Sequence, residues 1–233
     1  MSEWQTIDEG IQTYEYAFGP GRARTFAVKG PKGWIVIGPA FGADDRVFDA
    51  LTSQAPIAAI VAPNAFHNMG IHAWHERFPE AKLFAPAQSI ARVEKKGKVT
   101  NVAPVADAKD LCGDAIELVD IPHYKTGEVL VKVKAPSGPI WHVTDLIFNF
   151  PTLPPGLFVK ILFTWFTDSA PGFKLSGLAA FLQMKDKKGV YRWLKEEAQK
   201  APPVRVVPSH GVDEVLDPPG AKLLEILTTQ GKV

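Results

Sequence analysis

Four side chains able to bind a metal stand just beyond four short runs, one continuously apolar and the others interrupted by polar residues. His67 follows Ile57 to Ala62, and His123 follows Ile116 to Ile121. Asp145 closes Ile140 to Thr144, and His210 follows Val204 to Val207. Each run is short, rich in β-branched residues and bounded by turn formers, so each reads as a strand. If those strands point the same way, the loops at their carboxyl ends meet at one edge, where sites are usually built. Two or three imidazoles with one carboxylate form a ligand set for zinc, or for iron with open positions. A divalent metal so held activates water near neutral pH. Taken singly, each residue has a plainer reading. A loop histidine is more often solvated than ligating, Gly211 after His210 suits a turn, and Asp145 can cap a strand end. The shared placement is what points to a metal.

The elements that would position these residues follow from periodicity. The first forty residues read as paired strands, with Thr25 to Val28 and Trp34 to Ile37 flanking a Gly/Pro turn. Asp44-Asp45 opens a helix with Val47, Phe48 and Leu51 on one face. Ile71 to Phe78 reads as a helix stopped by Pro79, Lys82 to Ala85 as a strand, and Gln88 to Lys95 as a helix. Ile116 to Ile121, Glu128 to Val133 and Ile140 to Thr144 form a run of strands. A helix from Gly189 to Lys200, a strand from Val204 to Val207 and a closing helix around Leu223 to Leu227 end the chain. No linker or short repeat divides the sequence, so residues 1–233 are expected to form one layered α/β domain.

Composition narrows the function. Of 233 residues, 46% are apolar and 22% charged, which excludes wholesale disorder. A single cysteine, Cys112, excludes a disulfide-built scaffold. With 26 basic and 25 acidic residues, the net charge of +1 gives no electrostatic case for nucleic acid or an anionic membrane. The opening Met1-Ser2-Glu3-Trp4-Gln5 lacks the pattern of a signal peptide, and Gly156 to Phe166 is too short to span a bilayer. A cytoplasmic protein is expected.

Other residues invite chemistry less strongly. His72 and His75 share a helical spacing that sometimes binds metal but equally lines a surface. His142 should face away from Asp145 and be structural. Cys112 reads as a small buried residue. No Gly-x-Ser-x-Gly elbow occurs, and Gly19-Pro20-Gly21 is only a turn. The apolar, aromatic segment at 151–173 is either a lid that selects an apolar substrate or a packing or homodimer surface, with packing favoured. Asp168, just after its aromatic run, can cap a local turn.

The order of these features resembles the metallo-β-lactamase superfamily along nearly the whole chain. A hairpin precedes a strand and a metal motif opening a helix. Pro122-His123, Thr144-Asp145-Leu146 and Ser209-His210-Gly211 then follow in the superfamily's order. The motif His-x-His-x-Asp-His is degenerate. With its last histidine at His67, Ala62 and Asn64 occupy the two earlier histidine positions, and Phe66 occupies the aspartate position. Trp34 to Pro39, Ile60 to Asn64, Phe66-His67, Trp74 and Phe78 to Ala81 resemble one subgroup with this altered motif, to which no reaction attaches.

The resemblance implies a four-layer αββα sandwich and a metal-dependent hydrolase of a small-molecule substrate. One divalent metal, zinc ahead of iron or manganese, would be held by His67, Asp145 and His210. His123 would be a fourth ligand or a proton-transfer group, and Asn64 would bond water or substrate. Phe66 would make the surroundings of the metal more apolar. Two alternatives stay open: a sandwich without metal that serves as a binding protein, and an iron-dependent oxidoreductase.

Overall fold

The computed structural model describes residues 3–19, 21–153 and 161–233. Its first sheet holds seven strands in sequence order: β1 (Gln5–Asp8), β2 (Ile11–Phe18), β3 (Gly21–Gly30), β4 (Gly33–Ile37), β5 (Ile57–Val61), β6 (Lys82–Ala85) and β7 (Ala103–Pro104). Hairpins make β1 to β4 antiparallel, and helical crossovers make β4 to β7 parallel. The crossovers carry α1 (Asp45–Thr52), α2 (Ile71–Arg77) and α3 (Ile90–Gly97), and α4 (Lys109–Cys112) follows β7. Asp44 starts α1 as expected, its carboxylate accepting the Val47 N–H at 3.2 Å.

The second sheet has the order β14-β13-β10-β9-β8. Its chain runs through β8 (Ile116–Asp120), β9 (Val129–Ala135) and β10 (Gly138–Val143), leaves for a separate pair β11 (Ile147–Phe150) and β12 (Gly172–Leu175), and returns as β13 (Arg205–Pro208) and β14 (Glu214–Val215). Between β12 and β13 lie α5 (Gly177–Leu182) and α6 (Lys187–Lys200), and α7 (Ala221–Thr229) closes the chain.

Strand alternation builds the layers. Phe26, Val28, Ile35, Ile37, Ala59 and Val61 point inward and meet Val129, Val131, Val133, Ile140 and Val207 of the second sheet. Their neighbours Ala27, Trp34, Val36 and Ile60 point outward and are covered by Val47, Phe48, Leu51, Ile71, Trp74 and Val93 of α1 to α3. On the far side, Leu130, Trp141, Val143 and Val206 meet Val190, Leu194, Leu223 and Leu227 of α6 and α7. Two sheets packed face to face with helices outside both give the expected four layers.

At one end the sheets are joined by main chain. The Val129 N–H bonds Pro63 O at 2.9 Å, and the Arg24 N–H bonds Ser209 O at 2.8 Å. Loops from both sheets are thereby fixed at the same edge.

Candidate metal centre

Register brings two of the expected residues side by side. β10 and β13 are parallel neighbours with Val143 opposite Pro208. Asp145 and His210 leave them at equal offsets. His67 reaches the same edge from the loop after β5. Its N–H and that of Phe66 both bond Asn64 Oδ1 at 2.9 Å, which sets that loop's path.

The three side chains converge. His67 Nε2 and His210 Nε2 each lie 3.3 Å from Asp145 Oδ1 and 3.2 Å from each other. Their side chains are only 10%, 11% and 11% exposed (His67, Asp145 and His210). Such spacings match adjacent corners of a tetrahedron of radius about 2.0 Å, the ordinary zinc-to-nitrogen or zinc-to-oxygen length. The His210 Nδ1–H donates to Arg22 O at 2.9 Å. In neutral imidazole this leaves the lone pair on Nε2, aimed at the shared point. The donor set therefore fits a divalent metal.

Asp145 is held from the other side by amides. Its Oδ2 accepts from Asn64 Nδ2 at 2.8 Å and from Gln183 Nε2 at 3.1 Å. Asn64 Nδ2 also donates to Glu128 Oε2 at 2.8 Å. Glu128 Oε1 accepts the N–H groups of Thr144 and Asp145 at 3.0 and 2.8 Å. Burial by itself raises the Asp145 carboxyl, but the charges and hydrogen bonds of His67 and His210 hold it well below the usual range. Burial first, and then the charge of Asp145, push Glu128 up to about 8, against the N–H donors that pull it down.

Neither a family model nor a curated relative matches the sequence. Among solved structures, the mono-zinc form of metallo-β-lactamase FIM-1 from Pseudomonas aeruginosa is 16% identical with a TM-score of 0.58. That alignment covers 99% of this chain and 95% of FIM-1. DIM-1 metallo-β-lactamase exposed to ceftazidime is 11% identical at a TM-score of 0.61, covering 98% of this chain and 97% of its own. The 1–254 fragment of a Nostoc sp. PCC 7120 protein named diflavin flavoprotein A 5 is 9% identical at 0.64, covering 99% and 94%.

The chain has the metallo-β-lactamase fold. On that fold the degenerate motif takes its own form. Ala62 is a buried core residue under the helices. Asn64 is fully buried, and both its amide hydrogens and both its carbonyl lone pairs are used within the protein. Asn64, expected to bond water or substrate, here bonds Asp145, Glu128 and the main chain of Phe66 and His67. Phe66 does not form the apolar surroundings of the cluster expected of it. It is 44% exposed, with the Arg92 guanidinium 5.0 Å over its ring. The rings beside His210 are instead Phe148 at 5.2 Å and Phe18 at 6.0 Å.

His123 does not join the cluster. It is exposed, sits at φ 65°, and its carbonyl accepts the Lys185 N–H at 2.7 Å. Its ring lies against Gly189, where an added Cβ would come within 2.8 Å of His123 Cδ2. The turn after β8 is drawn that way because Tyr124 is buried in the second core beside Met184.

The remaining candidates separate cleanly. His72 pairs with Glu76 at 3.5 Å on the exposed face of α2, and neither His72 nor His75 belongs to the cluster. His142 is fully buried, stacked on Phe26 at 4.6 Å, with its Nδ1–H bonded to Val207 O. Burial pushes its pKa down to about 3. Burial pushes the Cys112 thiol up to about 11. Of the segment at 151–173, residues 154–160 lie outside the described residues. In the remainder, Phe163 stacks on Phe148 at 5.9 Å, while Trp165 and Phe166 are largely exposed. Asp168 pairs with Lys174.

Sequence reasoning missed Glu128 and Gln183. Glu128 was legible only as the polar start of a strand, and Gln183 stands in a stretch with no periodic signal.

Proposed function

We propose that this protein is a metal-dependent hydrolase of a small-molecule substrate, with one divalent metal, zinc ahead of iron or manganese, held by His67, Asp145 and His210. The observation that carries this reading is the triangle of ligand atoms 3.2 to 3.3 Å apart. A metal there supplies Lewis-acid activation of water near neutral pH. The chain's own residues do the positioning. The Arg22 carbonyl fixes the His210 ring, Asn64 and Gln183 fix Asp145, and Phe18 and Phe148 give the site an apolar wall suited to an apolar substrate group. Both lone pairs of Asp145 Oδ2 are used by amides, which favours one metal over two.

A second reading has one observation behind it. Two histidines and a carboxylate also suit iron, and a flavoprotein shares the fold.

Elemental analysis of protein purified without an affinity tag tests both. One zinc per chain, with turnover of an ester, thioester, lactone or phosphodiester, supports the hydrolase. Iron in its place supports the second reading. Asp145→Ala and His210→Ala should lose metal and turnover together while the fold persists, because the three apolar cores lie outside the cluster. Full turnover in either variant overturns the proposal, and no metal retained even in excess overturns it in favour of a binding protein.

A further inference from the structure

On the outer side of the aromatic turn lies a face that the metal cluster does not use. The turn is π-helical over Leu162–Phe166. Trp165 and Phe166 are 86% and 81% exposed, and on α5 Phe181 is 79% exposed with Leu182 beside it. The two elements are seated on each other: a Cβ at Gly177 would meet Thr167 O at 1.8 Å, so only glycine permits the contact. Large aromatic side chains left in water as a group mark an interaction surface.

The charge around them is predominantly basic, with three lysines and one aspartate, Asp168, lining the groove beside them. This groove of about 700 Å³ between the turn and the helices is lined by Phe166, Phe181 and Tyr191 together with Lys187, Lys188 and Lys232. These three lysines and the neighbouring Lys185 are exposed and make no ion pair among the described residues. The nearby acids are engaged: Asp168 pairs with Lys174, and Asp186 caps α6 through the Gly189 N–H. Lys187 and Lys188 stand in the first turn of α6, where the helix dipole disfavours cations, so they are placed against local stability.

We infer that this face docks on an anionic bilayer surface, with Trp165, Phe166 and Phe181 entering the interface and the lysines facing the headgroups. Exposed aromatics ringed by lysine are the pairing that holds proteins at such an interface. A second copy fits less well, because a two-fold contact would set the same lysines against each other. The balanced charge of the whole chain hides this clustering, so composition gave no sign of it. The inference stands apart from the metal reading.

Vesicle co-sedimentation of the full chain tests it, with metal content measured in parallel. The protein should bind phosphatidylcholine–phosphatidylglycerol vesicles, bind phosphatidylcholine alone far more weakly, and release as salt is raised. Trp165→Ser with Phe166→Ser should weaken binding by about tenfold or more, from lost apolar burial. Lys187→Gln with Lys188→Gln should weaken it roughly 25-fold, about fivefold per lysine. All four positions are exposed, so metal content should not change and the melting temperature should not fall. No binding to anionic vesicles, or binding indifferent to the lysines and to salt, overturns the inference. So does a dimer in sedimentation that the aromatic variant dissolves, which would make this face a contact between copies.

Discussion

Asp145 separates two regions built from opposite chemistry. On the Oδ1 side, two imidazole nitrogens stand 3.3 Å away and 3.2 Å apart, with the His210 lone pair fixed by the Arg22 carbonyl. On the Oδ2 side, amide N–H groups of Asn64 and Gln183 converge at 2.8 and 3.1 Å. Lone pairs gathered at one point call for a cation. Hydrogens gathered at one point already occupy the lone pairs that a second cation would need. One carboxylate can thus be ligand on one side and fully hydrogen-bonded anchor on the other.

The largest expected effect comes from the amide side. Asn64 is fully buried and bridges two carboxylates while capping the His67 loop. Asn64→Ala leaves both carboxyl groups short of a donor and the Phe66 and His67 N–H groups short of an acceptor, and urea unfolding should show a loss of about 3 kcal/mol. A loss below about 1 kcal/mol, the net worth of one ordinary hydrogen bond, would mean that the amide side is not the anchor described.

Glu128 tests the same side by pH. Its carboxyl is pushed up to about 8 from an ordinary 4.5. The folded protein therefore keeps a proton there that the unfolded chain releases. This contribution is full below the ordinary value and is lost as the pH rises through the window to about 8. In metal-stripped protein, wild-type stability should fall relative to Glu128→Gln by up to about 1.4 kcal/mol per pH unit across that window. Asp145, held low, acts in the opposite sense and only below its ordinary 3.8, so it does not mask the slope. A wild-type-to-variant difference that stays flat over the window would place the Glu128 carboxyl near its ordinary value.

These two tests bear on residues of unequal legibility. His67, Asp145 and His210 were legible because each follows a strand with clear periodicity, and strand direction alone carries them to one edge. The four layers were legible through the resemblance, because β4 and β5 are apolar on both faces and their sequence does not mark which residue takes which face. His123 gave the same local signal, yet its turn is steered by the burial of Tyr124 and the Lys185 hydrogen bond, which are tertiary facts. Gln183 reaches Asp145 only because the end of α5 lies over the site, and no spacing along the chain encodes that. Phe66 had the right sequence position but the wrong direction, because its loop turns the ring out to Arg92.

Gln183 sharpens the comparison at smaller scale. Gln183→Leu keeps most of the volume and removes one of the two donors on Asp145 Oδ2. Carboxylate ligands lose metal affinity when the groups that orient them are removed, and about a tenfold rise in the zinc Kd is expected by calorimetric titration. Unchanged affinity would show that Asn64 alone orients Asp145.

The smallest expected effect is at His123, and it tests where the site ends. The residue is exposed and left-handed, with its ring on Gly189 rather than on the cluster. His123→Asn removes the imidazole and keeps a residue type that tolerates φ of this sign. Zinc affinity and turnover should both stay within about twofold of wild type, a change of under about 0.5 kcal/mol. A larger loss in turnover with metal content intact would make His123 a proton-transfer group after all. The boundary of the functional site would then have to include the turn after β8, and Asp145 would no longer be the divide between its two regions.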